Sequence, residues 1–221
     1  MLAERGTKVL LNVSSSTRDH ITCVLTVSAG GDIIPPMCLF RGVRNVAAVH
    51  LATLPQDGKS GAWSLHSTEK GFITSEKFVV LLQELVKHLE ERQIERPVIL
   101  FMDGASPHIS LAMAEYCKAH GIQPWLFKPN TTHLTQPLDL TVRKSLKDKL
   151  KRKVTEWQQR NPTSLTKYTV VPLLREAVEE VLTKPSIIIN GFRRAGLVPW
   201  AGRKLDRFPR IKWTIKLTKN L

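Results

Sequence analysis

Asp103 and Asp139 are the two residues whose positions most clearly favour a shared chemical role. An apolar run at residues 98–102 leads directly into Asp103, and Gly104 and Pro107 then prevent the predicted strand from continuing. Asp139 follows a polar segment and precedes a stretch with helical periodicity. Because open α/β sheets place reactive groups at the carboxyl ends of their strands, we expect the two carboxylates to converge on one site. Carboxylate oxygens suit Mg²⁺ or Mn²⁺, and two such cations about 4 Å apart promote hydrolysis or transfer at a phosphodiester.

Each aspartate also has a purely structural interpretation. An aspartate followed by glycine, as at Asp103, is commonly a turn former, and an aspartate near a helix start, as at Asp139, commonly interacts with the helix dipole. Taken singly, either residue fits that interpretation. Taken together in their sequence context, the two residues favour an active site.

Two motifs around these residues resemble a known family. The pattern of a strand followed by D-x-x-x-x-H falls on Asp103 and His108, and T-H-x-x-Q-P-L-D falls on residues 132–139. The sequence thereby resembles the DDE superfamily endonuclease domain of pogo- and Tigger-type transposases, to which jerky and centromere protein B are also similar. This resemblance covers nearly the entire chain. It implies that Asp103 and Asp139 are the second and third metal-binding carboxylates of a triad.

The resemblance also implies a fold of the α/β class, with an RNase H-like mixed sheet flanked by helices and a basic helical C-terminal extension. In that fold a first strand carries the first aspartate and lies between a hairpin and the Asp103 strand. The other aspartates before Asp103, which are Asp19, Asp32 and Asp57, lie in turn-like contexts. We therefore expect the first strand to be missing, with two strand edges unpaired, unless residues 7–13 fill its place. We favour the interpretation that the chain is a fragment of a longer protein.

Three polar residues near the acidic pair are candidates for orienting the carboxylates or contacting a phosphate. They are His108, His133 and Gln136. A side chain that only hydrogen-bonds to its own loop explains the two histidines equally well.

The positive charge of the chain is concentrated in its C-terminal third. Residues 1–140 hold 13 Lys and Arg and 13 Asp and Glu, whereas residues 141–221 hold 20 and 6, which accounts for the net charge of +14. Such asymmetry favours a polyanionic partner, and we expect DNA. The alternative is a solvated basic surface, which is disfavoured because only Asp148 and Glu156 offer counter-charge on the helix after Asp139. The candidate DNA contacts are Arg143, Lys144, Lys147, Lys151, Arg152, Arg193 and Arg194.

Local patterns predict the elements that position these residues. Strands at residues 21–27 and 33–40 form an antiparallel hairpin, in which Pro35 and Pro36 favour an edge position or a late entry for the second strand. A long loop with one short strand follows at residues 43–71. Helices are predicted from Thr74 or Ser75, at residues 110–120, after Asp139, at about 169–182 and at 186–195.

The chain divides into three parts. They are an N-terminally truncated RNase H-like DDE-type core at residues 1–160, a helical closing segment of the same domain at 161–202 and a basic tail at 203–221. Cys23, Cys38 and Cys117 are scattered and predict neither a zinc site nor a disulfide framework. No apolar run approaches the roughly 20 residues of a membrane span.

Two functions follow. The first is a transposase-derived nuclease that binds DNA, with metal-dependent cleavage and strand transfer in the intact parent protein. The second is a domesticated, catalytically inactive DNA-binding protein. Both imply a nuclear location, and a homo-oligomer is compatible with either. Because only two of three carboxylates are present, we expect no useful cleavage rate from the chain alone.

Overall fold

The computed structural model describes residues 21–42, 63–103, 110–128, 131–163 and 165–199. Several predictions concern positions outside these ranges. They are the strand at residues 7–13, the aspartates Asp19 and Asp57, the candidate His108 and the basic tail at 203–221.

Three strands form a mixed sheet. Strand β1 (Ile21–Val27) pairs antiparallel with β2 (Ile33–Arg41), and β3 (Ser64–Thr68) pairs parallel with β2. The predicted antiparallel hairpin is confirmed. The edge position predicted for the second strand is wrong, because β2 lies between β1 and β3. Both prolines are tolerated there because β3 joins β2 only from Met37 onward, after the residues that lack an N–H donor.

Two further strands form a separate parallel sheet. Strand β4 (Val98–Met102) pairs with β5 (Ile122–Leu126) in register. The Phe127 amide donates to the Met102 carbonyl at 2.8 Å, which extends the pairing to the residue just before Asp103. Among the described strands, none pairs with both β1 and β4.

Six α-helices and one π-helical turn complete the described chain. They are α1 (Ser75–Glu91), α2 (Leu111–Ala119), α3 (Thr132–Thr135), the π-helical turn (Leu138–Val142), α4 (Arg143–Arg160), α5 (Lys167–Leu182) and α6 (Pro185–Ala195). The predicted caps are confirmed at two sites, since the Thr74 side chain accepts from the Lys77 amide and Gly196 ends α6 with a φ of 72°. None of these helices combines the length and apolar content that crossing a bilayer requires.

Helices cover both faces of the three-stranded sheet. Successive side chains of a strand point to opposite faces, and those of β2 are buried on both sides. Met37 and Leu39 pack into a core that includes α1, whereas Cys38 and Phe40 pack into a core built from α4, α5 and α6. The described chain is therefore a mixed α/β structure of small sheets between helical layers.

The cysteines are buried and free, and two of them are neighbours. Cys23 of β1 and Cys38 of β2 are direct partners in the strand register, and Cys117 lies in the other core. The thiol of Cys38 has a pKa well above its ordinary value, because of a hydrogen bond with Cys23 and because of burial. The sequence spacing gave no sign of this pairing, which depends on the register of the hairpin.

Candidate active site

Asp103 lies at the carboxyl end of β4. The strand forms because residues 98–102 are apolar, and its register with β5 is continued by the hydrogen bond from Phe127 to Met102. Asp103 itself is partly buried. The strand and the position of Asp103 at its end agree with the sequence prediction.

Asp139 lies in the first turn of the π-helical segment. Its amide donates to the Gln136 carbonyl at 3.0 Å, and Leu140 donates to the same carbonyl at 3.3 Å. A π-helical turn contains one more residue than an α-helical turn and is common at functional sites. The sequence predicted a helix start here, and the start is confirmed, although its π-helical form left no sign in the sequence.

The two carboxylates lie within electrostatic range of each other. Burial raises the pKa of the Asp139 carboxyl, and the negative charge of Asp103 raises it further. The neighbouring Arg143 and His133 act in the opposite direction, and burial outweighs them. An ionised Asp139 is therefore held in an environment that disfavours its charge.

Arg143 contacts Asp139 directly. Its Nη1 atom lies 3.3 Å from Asp139 Oδ1, and 19% of the Asp139 side chain and 35% of the Arg143 side chain are exposed. This guanidinium neutralises part of the charge on Asp139. Arg143 was expected to contact DNA; it lies beside Asp139, and its contact with DNA stays a prediction.

The other polar candidates differ in how they relate to Asp139. His133 is exposed in α3, and its positive influence reaches the Asp139 carboxyl. Gln136 is partly buried and supports Asp139 through its backbone carbonyl. His108 lies outside the described residues, so its role stays a prediction.

The acidic pair offers a donor set for one divalent cation. Asp103 and Asp139 supply hard oxygen ligands, and their mutual repulsion is the kind that a bound cation relieves. Within the described ranges, no group of three or more His, Cys, Asp and Glu residues could hold a metal ion.

Three basic residues of α4, one of them the predicted DNA contact Arg152, are engaged within the protein. Lys149 forms an ion pair with Glu180 of α5, Arg152 Nη2 lies 3.0 Å from Glu180 Oε2, and Lys153 Nζ lies 2.9 Å from Glu176 Oε2. The expectation that only Asp148 and Glu156 provide counter-charge is therefore wrong. The two acids come from a helix that packs along α4, so that pattern analysis of α4 alone could not find them.

Three lysines of α4 remain directed away from this network. Lys144, Lys147 and Lys151 are exposed, and no acid in the described chain forms an ion pair with them. Their spacing places them on one face of the helix, together with Asp148. We call Lys144, Lys147 and Lys151 the lysine strip.

Two arginines of α6 lie near the start of α4. Arg193 and Arg194 are exposed, and Arg194 Nη1 lies 3.4 Å from the Leu140 carbonyl in the π-helical turn. Arg193 contacts the Asn190 side chain at 3.3 Å. Arg194 therefore connects the predicted basic surface with the segment that carries Asp139.

A second polar cluster, which the sequence did not indicate, lies between β3 and α1. Ser64 Oγ lies 2.6 Å from His66 Nε2, and Lys77 Nζ lies 3.4 Å from His66 Nδ1. An ammonium group can only donate, so Nδ1 accepts and Nε2 carries the proton. In this arrangement His66 donates to Ser64 and does not act as its base.

Comparison with known proteins agrees with the acidic motifs. Residues 18–190 match the DDE superfamily endonuclease family. A protein named MFS-type transporter clz9, from Cochliobolus lunatus, is 27% identical over 187 residues, which are 85% of this chain and 20% of that protein. The chain thus spans about a fifth of the length of this relative. Because the family match includes both Asp103 and Asp139 and covers most of the sequence, the chain belongs to the DDE superfamily of endonucleases.

Proposed function

We propose that this chain is the catalytic core of a transposase-derived nuclease that cleaves DNA and transfers strands in the intact protein. Endonuclease domains of this superfamily act on DNA. The observation that carries the proposal is that two partly buried carboxylates lie within electrostatic range of each other, Asp103 at the end of β4 and Asp139 in the π-helical turn. Kinship with pogo, Tigger, jerky and centromere protein B rests on the motifs at residues 103–108 and 132–139.

In this proposal Asp103 and Asp139 hold Mg²⁺ or Mn²⁺ through their carboxylate oxygens. A cation held there would supply positive charge to activate the attacking oxygen and stabilise the leaving one. Asp139 Oδ1 also contacts Arg143, so the guanidinium and the cation would share this carboxylate. Gln136 holds the backbone of Asp139 through its carbonyl, and His133 lies exposed in α3 within electrostatic range of that carboxylate.

We propose an RNase H-like arrangement of the two sheets. Strand β1 pairs on one side with β2, and β4 pairs on one side with β5, so each has an edge that no described strand occupies. A strand placed between β1 and β4 would join the sheets. Residues 7–13 contain no acidic residue, so the third carboxylate would come from another segment of the intact protein.

This proposal assigns fewer residues to DNA contact than the sequence predicted. The lysine strip and the arginines Arg193 and Arg194 are exposed, and Arg194 contacts the π-helical turn. Arg152 is paired with Glu180 and Glu156, and Arg143 with Asp139, so we assign neither to the first contact with phosphate. A DNA strand along α4 would then pass the acidic pair at the start of the helix.

A second function is supported by the Arg143–Asp139 contact. An internal cation that already neutralises an acidic ligand suits a domesticated protein that binds DNA without cleaving it. Both functions place the protein in the nucleus. The transporter name of the relative describes that protein, four-fifths of which have no counterpart in this chain, and we assign no transport here.

The test is Mn²⁺-dependent nicking of a supercoiled plasmid by the full natural protein and by this chain. We expect the full protein to nick the plasmid, Asp103→Asn and Asp139→Asn to abolish nicking, and Asp148→Asn to retain it. Asp148 is a matched control because it is an exposed aspartate on the same helix. We expect no useful rate from this chain alone, which provides two carboxylates.

Two results would change the assignment. DNA binding without nicking by the full protein would favour the domesticated binder. Nicking that survives Asp139→Asn would contradict the proposed site.

A further inference from the structure

Helix α6 packs unusually closely against the π-helical turn that carries Asp139. Gly191 of α6 is buried, and a Cβ atom at this position would lie 2.7 Å from the Pro137 carbonyl oxygen and 2.7 Å from Thr141 Oγ1. Gly191 lies inside a helix and has no positive φ, so the glycine is required for space and not for backbone conformation. The backbones of the two elements can approach this closely only because residue 191 has no side chain.

A hydrogen bond from Thr141 of the π-helical turn also joins this turn to α6. Thr141 Oγ1 donates to the Ile187 carbonyl of α6 at 2.9 Å and lies 3.3 Å from the Pro137 carbonyl of its own segment. A side-chain bond to the carbonyl four residues back is common for threonine in helices, whereas the shorter bond to Ile187 spans 46 residues of sequence. Thr141 is therefore tied to α6 as well as to its own turn.

The residues of the turn that contact α6 lie just before and just after Asp139 in the sequence. Pro137 lies two residues before it, Leu140 accepts from Arg194 at 3.4 Å one residue after it, and Thr141 follows. A π-helical turn is a rare departure from the α-helix that is frequent at functional sites. Helix α6 supports this turn immediately before and after the carboxylate.

We infer that α6 sets the position of the Asp139 carboxylate, with Gly191 and Thr141 as positioning residues. This inference rests on the proposed role of Asp139 as a cation ligand. Neither residue touches the carboxylate, and both act through the backbone of the turn. A change of a few tenths of an ångström at residues 137 and 141 moves Asp139 relative to Asp103, which is held by a different element, β4.

The alternative is that these contacts only stabilise the fold. A purely structural role predicts a lower melting temperature with unchanged cation binding. A positioning role predicts weaker binding and a changed binding geometry in a protein that still folds. The two roles therefore differ in a property that is independent of DNA cleavage.

The experiment is a Mn²⁺ titration followed by paramagnetic broadening of backbone amide signals in NMR spectra of the whole chain. In the unmodified chain we expect the amides near both Asp103 and Asp139 to broaden together. In Gly191→Ala and Thr141→Val we expect Mn²⁺ binding to weaken about 10-fold or more, with broadening retained near Asp103 and reduced near Asp139. Thr141→Val removes the hydrogen bond without adding bulk, so it keeps the test valid if Gly191→Ala does not fold.

Two matched controls separate position from general destabilisation. A Cβ at Gly30 would meet only ordinary contacts, at 3.5 Å or more, and Thr155 bonds only to the Lys151 carbonyl of its own helix. Gly30→Ala and Thr155→Val should therefore bind Mn²⁺ like the unmodified chain. Unchanged binding in folded Gly191→Ala and Thr141→Val would overturn the inference. If Asp139→Asn binds as well as the unmodified chain, the proposed function fails instead.

Discussion

Replacement of the lysine strip tests which cations of α4 face DNA. Lys144, Lys147 and Lys151 are exposed and have no acidic partner in the described chain, whereas Lys149 and Lys153 are paired with Glu180 and Glu176. A cation already paired with a carboxylate has less to gain from a phosphate, and it releases fewer counterions on binding. The triple variant Lys144→Gln, Lys147→Gln, Lys151→Gln should therefore lose more DNA affinity than the double variant Lys149→Gln, Lys153→Gln.

The size of the effect follows from the number of phosphate contacts. Each contact contributes about 0.9 to the slope of log K against log salt concentration, so removing three lowers the slope by about 2.7. When the salt concentration rises fourfold, the DNA affinity of the unmodified chain should therefore fall about 40-fold further than that of the triple variant. We expect a change in slope below about 1 for the double variant.

Fluorescence anisotropy with a labelled duplex at several salt concentrations measures both slopes. Thermal unfolding of each variant provides the control for folding, and the double variant should melt lower because it loses its ion pairs. An unchanged slope for the triple variant would refute the assignment of the lysine strip. An equal loss for the double variant would show that the ion pairs with α5 open when DNA binds.

Three further predictions follow from named groups. Burial and the charge of Asp103 raise the pKa of the Asp139 carboxyl, so the protonated carboxyl stabilises the fold below the ordinary pKa, and this stabilisation is lost as pH rises through the raised pKa. Asp139→Asn should therefore have a higher melting temperature than the unmodified chain at pH 7.5 without metal. A lower melting temperature would contradict this reasoning. Burial and Lys77 lower the pKa of His66 from 6.5, although Glu84 opposes them. The free energy of unfolding should thus fall as pH drops below 6.5. Urea unfolding at pH 7.5 and pH 5.5 should show that His66→Gln loses less of this free energy between the two pH values than the unmodified chain does. Refolding with a small disulfide oxidant should join Cys23 to Cys38 and leave Cys117 free, because the first two face each other across the hairpin; peptide mass spectrometry would reveal a different pairing.

Elements with strong local signals were predictable from the sequence. Thr74, Pro185 and Gly196 mark helix ends through capping and backbone preferences that operate within a few residues. The Asp103 strand and the Asp139 helix start were predictable for the same reason. The family motifs alone predicted that these two residues belong to one site.

Features that depend on packing between distant segments were not predictable. Pro35 and Pro36 favoured an edge strand, yet β2 is central because β3 pairs only beyond them. The pairing of Lys149 and Lys153 with α5 spans more than 20 residues of sequence, as does the contact of Gly191 with the π-helical turn. No periodicity within one helix reports which residues of another helix will face it.

The most direct measurement of the central claim is a Mn²⁺ binding titration at pH 7.5, followed by electron paramagnetic resonance of the free ion. The account predicts that the chain binds Mn²⁺, that Asp103→Asn and Asp139→Asn each weaken this binding strongly, and that Asp148→Asn leaves it unchanged. Equal loss in the two site variants is expected because each removes one of the two proposed carboxylate ligands. Full binding by Asp139→Asn, or equal loss in Asp148→Asn, would contradict a cation site built from Asp103 and Asp139.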